Sequence, residues 1–282
     1  MIDTPFRDGF FSNDGLRLHY VEWGERGNPA VIFLHGTTSN AHSWDAVAGA
    51  LARRYWCLGL DARNHGESDS WPSGLSWRVQ AEDVLALCAT LGIDRFGLVT
   101  LSMGSRAGIG LAGVWSERVT RLVIEDMAPE LNRETALRSV QFQRTTPEVL
   151  PTRADLIAWL RRARRYASEE WIERQAAFAA DPLPDGRYRL RYRVMPGPVH
   201  VNVAGPEADE LWALLPKITA PTLILRGGNS RMIDDDLVAR MVALIPNACS
   251  RVVPRAGHMV HEDNPTVAVA AIAEFFGVAY TD

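Results

Sequence analysis

A serine with the surroundings of a nucleophile stands at position 102. Ser102 lies between a run of strand-forming residues and a run of small residues, in the stretch VTLSMGSRAG at positions 99–108. Such a stretch suits a sharp turn from a strand into a helix, which lifts the serine hydroxyl clear of the sheet. The flanks are Thr100 and Gly104, so the G-x-S-x-G nucleophile pattern is matched incompletely. For this stretch alone two interpretations are open: Ser102 attacks a substrate, or it caps the helix that follows.

The groups that a nucleophilic serine needs as partners also occur in the sequence. A serine becomes reactive beside a base, and backbone donors must stabilise the negative charge that forms on the attacked oxygen. His258 follows the last apolar run, from where an imidazole can reach a nucleophile at the same sheet edge. The His-Gly turn before Thr37 can direct its backbone N–H at that charge, and Met103 supplies the second N–H. His261 is expected to be a solvent-exposed neighbour.

Seven short apolar runs must supply the elements that hold these groups. They alternate with helical patterns and occur at positions 16–24, 30–36, 56–61, 95–102, 121–126, 221–228 and 249–257. Most of them lack polar alternation, which is typical of strands buried on both faces of a parallel sheet. Between two of them, apolar residues recur at helical spacing from Trp77 to Leu91. The predicted fold class is therefore α/β, with a doubly wound, mostly parallel sheet.

The alternation of strands and helices stops in the middle of the chain, where we predict an inserted helical cap. Thr152 and Asp155 form a capping-box pattern at the start of one or two helices. The stretch LPDGRYRLRYR, at positions 183–193, is expected to be a turn followed by a basic, exposed segment. The predicted domains are a core of residues 1–128 and 217–282 and a helical cap (lid) of residues 129–216.

Four motifs at these separations resemble the α/β-hydrolase superfamily: HGTT, DARNHGESD, LSMGS and AGHMVHEDNP. The resemblance extends from about Gly15 to Phe276 and implies an α/β-hydrolase fold, with the cap inserted after the sixth strand. It also implies that Trp44 lines the substrate pocket, with packing in the core as the alternative. The stretch DARNHGESD resembles the family's D-x-R-G-H-G-x-S turn, in which Asp61, Arg63 and His65 are expected to brace loops rather than react.

The acid that orients the histidine departs from the family's commonest pattern, W-G-x-x-D after the penultimate strand. The equivalent stretch is RGGNSRMIDDD, with Ser230 in place of the aspartate, and a serine cannot stabilise an imidazolium by charge. Bacterial ester hydrolases with a similar G-G-x-S turn carry the acid in a D-x-A-P sequence after the sixth strand. The stretch EDMAP resembles it and implies Asp126 as the acid, while Glu125 should face away by strand alternation. Asp234 to Asp236 are the alternative acids, although we expect them to begin a helix.

Ser102, Asp126 and His258 together imply a serine esterase that cleaves carboxylic esters of small molecules through an acyl-enzyme intermediate. Hydrolysis of C–C, lactone or amide bonds and cofactor-free oxygen chemistry are alternatives, as is a non-catalytic ligand sensor. The serine argues against dehalogenases and epoxide hydrolases of this fold, which use aspartate there. The segment from Arg153 to Arg193 contains ten arginines and six acidic residues. This excess of positive charge would suit a carboxylated substrate, or the arginines form a solvated helix face.

Composition fits a globular chain with a small-molecule substrate as its partner. Of the 282 residues, 47% are hydrophobic, and a formal net charge of −4 does not indicate a nucleic-acid binder. No apolar run reaches the roughly 18 residues of a membrane span. The three cysteines lie in apolar segments and are predicted to be buried, reduced thiols of a cytoplasmic protein. We expect neither a metal nor an organic cofactor, and the sequence does not indicate an oligomeric state.

Overall fold

A computed structural model describes residues 4–131, 133–193 and 205–280, and its centre is an eight-stranded sheet. The strands are β1 (Phe6–Asn13), β2 (Leu16–Trp23), β3 (Ala30–Leu34), β4 (Trp56–Leu60), β5 (Phe96–Leu101), β6 (Val119–Glu125), β7 (Val149–Leu150), β8 (Ala180–Pro182), β9 (Tyr188–Leu190), β10 (Thr222–Gly227) and β11 (Ala248–Val253). The central sheet has the order β1-β2-β4-β3-β5-β6-β10-β11. Strands β1 and β2 run antiparallel to their neighbours, and the other neighbouring strands are parallel.

Helices cover both faces of the central sheet. The helices of the described residues are α1 (Asp45–Leu51), α2 (Trp77–Leu91), α3 (Met103–Val114), α4 (Arg133–Thr145), α5 (Arg153–Ala163), α6 (Glu169–Ala179), α7 (Pro206–Leu214), α8 (Asp235–Leu244), α9 (Val260–Asp263) and α10 (Pro265–Phe275), and not all of them contact the sheet. Short 3-10 helices span Ala41–Trp44 and Leu215–Lys217. Two apolar cores result: one packs against α2, α3, α7 and α8, and the other against α1 and α10.

Strand β3 shows why the sheet is buried on both sides. Ile32 belongs to one core, and its neighbours Val31 and Phe33 belong to the other. Successive side chains of a strand point to opposite faces, so a strand between two helical layers needs apolar residues at every position. All three side chains are fully buried. The predicted doubly wound, mostly parallel α/β sheet is therefore confirmed.

Strand β1 is an addition that the apolar runs did not predict. It forms a hairpin with β2, in which Asn13 faces Leu16 across a two-residue turn. Asp14 and Gly15 both have positive φ, 51° and 75°, as tight hairpin turns require. Most side chains of β1 are exposed at the edge of the sheet, which is why this strand has no continuous apolar run.

An insertion between β6 and β10 contains helices α4 to α7 and a three-stranded sheet of the order β7-β9-β8. Its own apolar core includes Leu156 and Trp159 of α5 and Ile172 of α6. The hydroxyl of Thr152 accepts the backbone N–H of Asp155 at 3.1 Å, which confirms the predicted start of α5. Part of the predicted cap, residues 194–204, lies outside the described residues.

The stretch at 183–193 is a turn followed by a basic segment in which Arg187, Arg189 and Arg193 are exposed, as predicted, but it also contains a paired strand and two buried side chains. Strands β8 and β9 pair as a hairpin, and Leu190 and Tyr192 are buried. Tyr192 also forms a β-bridge to His65 of the core, and Arg191 forms an ion pair with Glu67 at 2.9 Å. Tyr192 and Arg191 therefore join this otherwise exposed segment, and with it the insertion, to the core.

The cysteines agree only in part with the prediction of buried thiols. Cys57 and Cys88 are buried and free, and burial raises the pKa of the Cys88 thiol to about 12. Cys249 is exposed, so its predicted burial is wrong. It lies on β11, the last strand of the sheet, most of which faces solvent. Among the helices of the described ranges, none has both the length and the apolar character that crossing a membrane requires.

Candidate active site

Ser102 occupies a strained turn between β5 and α3. Its φ of 53° and ψ of −115° lie in a region that residues other than glycine rarely adopt. The turn is closely packed: a Cβ on Gly36 would lie 3.2 Å from the Cβ of Ser102. A Cβ on Gly104 would lie 2.4 Å from the carbonyl oxygen of Leu34. The Ser102 side chain makes no capping hydrogen bond to α3, so the helix-cap interpretation is wrong.

Thr100 explains how the turn tolerates the missing first glycine. The side chain is fully buried, and its hydroxyl donates to the carbonyl oxygen of Val123 at 2.7 Å. A Cβ on Gly108 would lie 2.8 Å from the Cγ2 of Thr100. The methyl group of Thr100 therefore occupies space that the glycine in α3 leaves free. Thr100 and Gly108 together replace the small residue of the usual pattern.

Asp126 and His258 come together as the sequence predicts. Asp126 follows β6 directly, is fully buried, and has Oδ2 2.9 Å from Nδ1 of His258. Its Oδ1 accepts the backbone N–H of Gly227 at 3.2 Å, so strand β10 helps to fix the carboxylate. Of the alternative acids, Asp234 caps α8, Asp235 pairs with Arg226, and Asp236 is exposed in the first turn of α8. Each therefore serves the start of α8, as expected.

Ser230 has a contact that the sequence did not reveal. This residue stands where the family's commonest pattern has its acid, and its hydroxyl donates to Oδ2 of Asp126 at 2.5 Å. The same hydroxyl oxygen accepts the backbone N–H of Met232 at 3.1 Å, which orients its proton toward the carboxylate. The serine thus holds an acid supplied by the neighbouring strand. The only sequence signal was the occurrence of Ser230 together with an aspartate at the end of β6.

Replacing Ser230 with alanine should lower kcat for an ester about tenfold, with little change in KM. A hydrogen bond to a charged group contributes about 1.5–3 kcal/mol, and its loss lets the Asp126 carboxylate turn away from His258. Steady-state kinetics beside Ser230→Thr, which keeps the hydroxyl, measure the effect. An unchanged kcat for Ser230→Ala would mean that the N–H of Gly227 orients the carboxylate sufficiently alone.

One cavity of about 370 Å³ contains the side chains of both Ser102 and His258. Its described lining also includes the apolar side chains of Phe142, Met232 and Met259. In the described ranges no hydrogen bond joins the Ser102 hydroxyl to His258. Such catalytic hydrogen bonds are often long until a substrate is bound. The observation that links Ser102 to His258 is therefore that both side chains line the same cavity. Its volume lies at the lower end of the range of about 300–1,000 Å³ for small-molecule sites.

One of the two predicted backbone donors, Thr37, lines this cavity, and the other, Met103, follows Ser102 directly in the chain. Met103 is the first residue of α3, and the N–H groups of a first helical turn have no acceptor within their own helix. Thr37 lines the cavity directly, in the turn after β3. The N-terminus of α3, which is the positive end of the helix dipole, also lies directly after Ser102 and favours negative charge next to that residue.

Trp44 and His261 differ from what the sequence predicted. Trp44 is fully buried and is not part of the described cavity lining, so its assignment to the pocket is wrong. It stacks on His261 with ring centroids 3.8 Å apart. His261 is also buried, and its Nδ1 lies 2.7 Å from Oε2 of Glu125. Burial alone would lower the pKa of His261, but the carboxylates of Glu125, Glu262 and Asp263 together more than offset this, and the pKa is raised.

Arg164 ties the insertion to the loops around the cavity. It follows α5 directly, and its Nε lies 2.6 Å from a carboxylate oxygen of Glu262 in α9. Its Nη2 donates to the carbonyl oxygen of Thr38 at 3.2 Å. Both charged side chains are almost completely buried. Arg164 therefore connects the end of α5 with α9 and with the turn after β3.

Replacing Arg164 with methionine should lower the free energy of unfolding by about 3–5 kcal/mol, because Glu262 would remain buried without a counter-charge. Denaturant unfolding monitored by tryptophan fluorescence measures this loss. Arg161→Met is the matched control, since its ion pair with Glu169 is exposed and should contribute at most about 1 kcal/mol. The double variant with Glu262→Gln should recover part of the stability. Equal losses for Arg164→Met and Arg161→Met would contradict this role.

The DARNHGESD stretch braces loops, as expected. The carboxylate of Asp61 accepts the backbone N–H groups of Ala41 at 2.7 Å and Glu67 at 2.9 Å. It also lies 2.7 Å from Nδ1 of His19. One buried carboxylate thus connects three segments of chain. Asp61 does not belong to the described lining of the cavity that contains Ser102 and His258.

Comparisons with known proteins agree with this fold and site. The model of the alpha/beta hydrolase family matches residues 31–272. N-formylmaleamate deformylase of Pseudomonas putida is 30% identical over 284 residues, covering 97% of this chain and 98% of that protein. The 3-hydroxybutyrate-oligomer hydrolase of Cupriavidus necator is 29% identical over 276 residues, covering 92% of each. The crystal structure of E-2-(acetamidomethylene)succinate hydrolase has a TM-score of 0.84 at 23% identity and covers 97% of this chain and 100% of that one.

The family match spans the central sheet from β3 onward and includes the three residues of the candidate site. The resemblance stated from the motifs is thereby confirmed. The curated relatives are a hydrolase and a deformylase by name, which supports a hydrolase activity for this chain. With a match over most of its length and an eight-stranded sheet of the same architecture, the chain belongs to the alpha/beta hydrolase family.

Proposed function

We propose that the chain is a serine hydrolase that cleaves carboxylic esters of small molecules through an acyl-enzyme intermediate. The observation that carries the proposal is the Asp126–His258 contact of 2.9 Å in the cavity where the strained Ser102 turn also lies. A nucleophile, a base and an oriented acid at one sheet edge are what ester hydrolysis by a serine requires. The oligomer hydrolase relative supports ester chemistry, since units of a hydroxy acid are joined by ester bonds.

Acylation follows from the roles of these residues. His258 accepts the Ser102 proton through Nε2 as the serine oxygen forms a bond to the ester carbonyl carbon. Asp126 accepts a hydrogen bond from the Nδ1–H group of His258, which fixes the tautomer and stabilises the imidazolium. The backbone N–H groups of Thr37 and Met103 bind the carbonyl oxygen as it becomes negative, and each such donor contributes about 3–4 kcal/mol to transition-state stabilisation. The carbon–oxygen bond to the alcohol then breaks, and His258 gives its proton to the departing oxygen.

Deacylation uses the same steps, with a water molecule as the nucleophile. His258 removes a proton from a water molecule as the water oxygen bonds to the acyl carbon. The bond between that carbon and Ser102 breaks, the serine oxygen takes the proton back, and the carboxylic acid leaves. Every proton and bond in the cycle is supplied by these side chains, the ester and water.

Residues 129–216 act in this proposal as a cap that shapes the cavity. Phe142 of α4 and Ala163 of α5 belong to its described lining together with Ser102. Core residues thus supply the chemistry, and the insertion contacts the part of the substrate that does not react. A difference in substrate preference between this chain and its relatives would then arise mainly in the insertion.

Labelling with a fluorophosphonate and hydrolysis of short p-nitrophenyl esters test the proposal. The phosphonate should modify Ser102, identified by mass spectrometry of the peptide that contains it, and the esters should release p-nitrophenol. Esterolysis without labelling at Ser102 would contradict the assigned nucleophile. No reaction in either assay would favour the ligand sensor.

Amide hydrolysis is the second candidate, because the deformylase relative removes a formyl group from N-formylmaleamate by name. The same serine and histidine can cleave an amide if His258 protonates the departing nitrogen. A substrate panel decides between the two: p-nitrophenyl esters beside carboxylated amides, lactones and vinylogous diketones. A higher kcat/KM for the amides than for every ester would replace the ester proposal.

A further inference from the structure

Arginine side chains, and no carboxylate, surround the cavity of Ser102. Arg162 and Arg231 belong to its described lining. Arg231 also lines an adjoining pocket together with Arg165 and His258. The residues described as lining these two spaces include neither an aspartate nor a glutamate. We call Arg162, Arg165 and Arg231 the arginine rim.

The charge of the arginine rim is not balanced by neighbouring carboxylates. Within residues 4–131, 133–193 and 205–280, none of its three members forms an ion pair. Two further arginines of the cavity are paired, Arg138 with Glu134 and Arg164 with Glu262. The paired residues are thus neutralised, and the rim retains positive charge beside the nucleophile. This arrangement favours a negatively charged group on whatever enters the cavity.

Stabilisation of a helix end explains only one member of the rim. Arg162 lies in the last turn of α5, where a cation interacts favourably with the helix dipole. Arg231 instead lies in the loop after β10, from where it faces the same cavity as α5. Helix stability does not require a second arginine on a separate element. Apolar surface from Phe142 and Met232 lies in the same lining, and low-dielectric walls strengthen the field of the rim.

A carboxylate is the group that matches this chemistry. A guanidinium offers parallel N–H donors that bind both oxygens of a carboxylate, and contacts from two elements would fix its direction. Apolar surface next to the rim suits the short carbon chain between a carboxylate and a reacting ester. The cavity, about 370 Å³, suits a small molecule of this type.

We propose that the arginine rim binds a carboxylate that the substrate carries away from its scissile bond. The preferred substrates are then half-esters of short dicarboxylic acids, with the ester carbonyl at Ser102 and the free carboxylate at the rim. This inference rests on the proposed function, because it takes Ser102 as the place of the reacting carbonyl.

The direct test compares monoethyl succinate with ethyl succinamate, in which a neutral amide replaces the carboxylate at nearly the same size. The wild-type chain should hydrolyse the charged ester with a kcat/KM at least about tenfold higher at low salt, measured by ethanol release. The preference should weaken in about 0.5 M NaCl, because salt screens exposed charges. A second pair, 3-acetoxypropanoate and its amide, places the carboxylate on the alcohol side. A preference confined to this second pair would overturn the half-ester assignment.

Variants of the rim separate this site from a general effect of positive charge. Arg231→Gln and Arg162→Gln should each lower the ratio of the two kcat/KM values about fivefold. Arg161→Gln is the matched control, since Arg161 is adjacent on α5 but pairs with Glu169 and is not part of the described lining. The control should keep the wild-type ratio. If the wild type and the three variants all showed the same ratio of kcat/KM for the charged and the neutral ester, the proposal would be overturned.

Failure of this proposal is distinguishable from failure of the proposed function. If both esters are hydrolysed equally and Ser102 is labelled by the phosphonate, the serine hydrolase stands and the rim has no role in selection. If neither ester is hydrolysed, calorimetric titration of Ser102→Ala with monoethyl succinate decides on the rim. Binding that weakens in the Arg231→Gln background supports carboxylate recognition, and absence of binding overturns it.

Discussion

Replacing Ser102 with alanine is expected to lower kcat for p-nitrophenyl esters on the order of a million-fold, while the protein remains folded. The alanine removes the oxygen that forms the acyl-enzyme, so His258 and Asp126 have no nucleophile to activate. What remains is attack by water, assisted only by the backbone N–H groups of Thr37 and Met103. Stopped and continuous assays of p-nitrophenol release measure the loss. Circular dichroism and a denaturant midpoint near that of the wild type establish that the fold is kept.

Ser105→Ala is the matched control for this variant. Ser105 lies three residues further along α3, is fully buried, and has its hydroxyl oxygen 3.1 Å from that of Thr100. Its loss should lower the free energy of unfolding by about 1 kcal/mol and leave kcat within a few-fold of the wild type. A Ser102→Ala protein that keeps more than about one per cent of the wild-type kcat would contradict the nucleophile assignment.

The central sheet was predictable because its strands are buried on both faces. Strand β3 has apolar residues at all five positions. An unbroken apolar run of this kind indicates a strand without any need to know which face of the sheet each residue contacts. Strand β1 could not be found in this way, because solvent covers most of it and its sequence lacks such a run. Its available signal was local: the Asp14-Gly15 turn before β2, where both residues have positive φ.

The part of the site that follows from the order and register of the strands was predictable from the sequence. Asp126 and Ser102 follow neighbouring parallel strands, so their proximity follows from the topology. Glu125 must then point to the opposite side of β6, and there it meets His261. Strand alternation thus separates the two carboxylates, but it does not determine that His261 meets Glu125, because both histidines lie after β11. The stacking of Trp44 on His261 could not be predicted, because it depends on how separate loops pack.

Replacing Asp126 with asparagine should lower kcat for esters about ten-thousand-fold, with the cavity and the fold retained. An asparagine side chain of the same shape can donate to Nδ1 of His258, which then leaves the proton on Nε2. In that tautomer the imidazole cannot accept the Ser102 proton. Kinetics with p-nitrophenyl acetate measure the loss, and thermal unfolding reports whether the contacts to Gly227 and Ser230 persist.

Asp235→Asn is the control that separates Asp126 from the alternative acids. Its side chain is 81% exposed and pairs with Arg226 at the start of α8, so kcat should stay near the wild-type value. A larger loss for Asp235→Asn than for Asp126→Asn would reverse the assignment of the acid.

A carboxylate supplied from β10 should rescue part of the activity of Asp126→Asn. The Ser230 hydroxyl lies 2.5 Å from Oδ2 of Asp126, so a side chain at position 230 already reaches the edge of the space beside Nδ1 of His258. In the double variant Asp126→Asn/Ser230→Asp, the new carboxylate accepts a hydrogen bond from Nδ1–H of His258 and restores the tautomer that acts as a base. We expect kcat to rise at least about tenfold over Asp126→Asn. Ser230→Asp alone should be impaired, because two carboxylates would then crowd one imidazole. A double variant no more active than Asp126→Asn would show that β10 holds position 230 too far from the histidine to replace the acid.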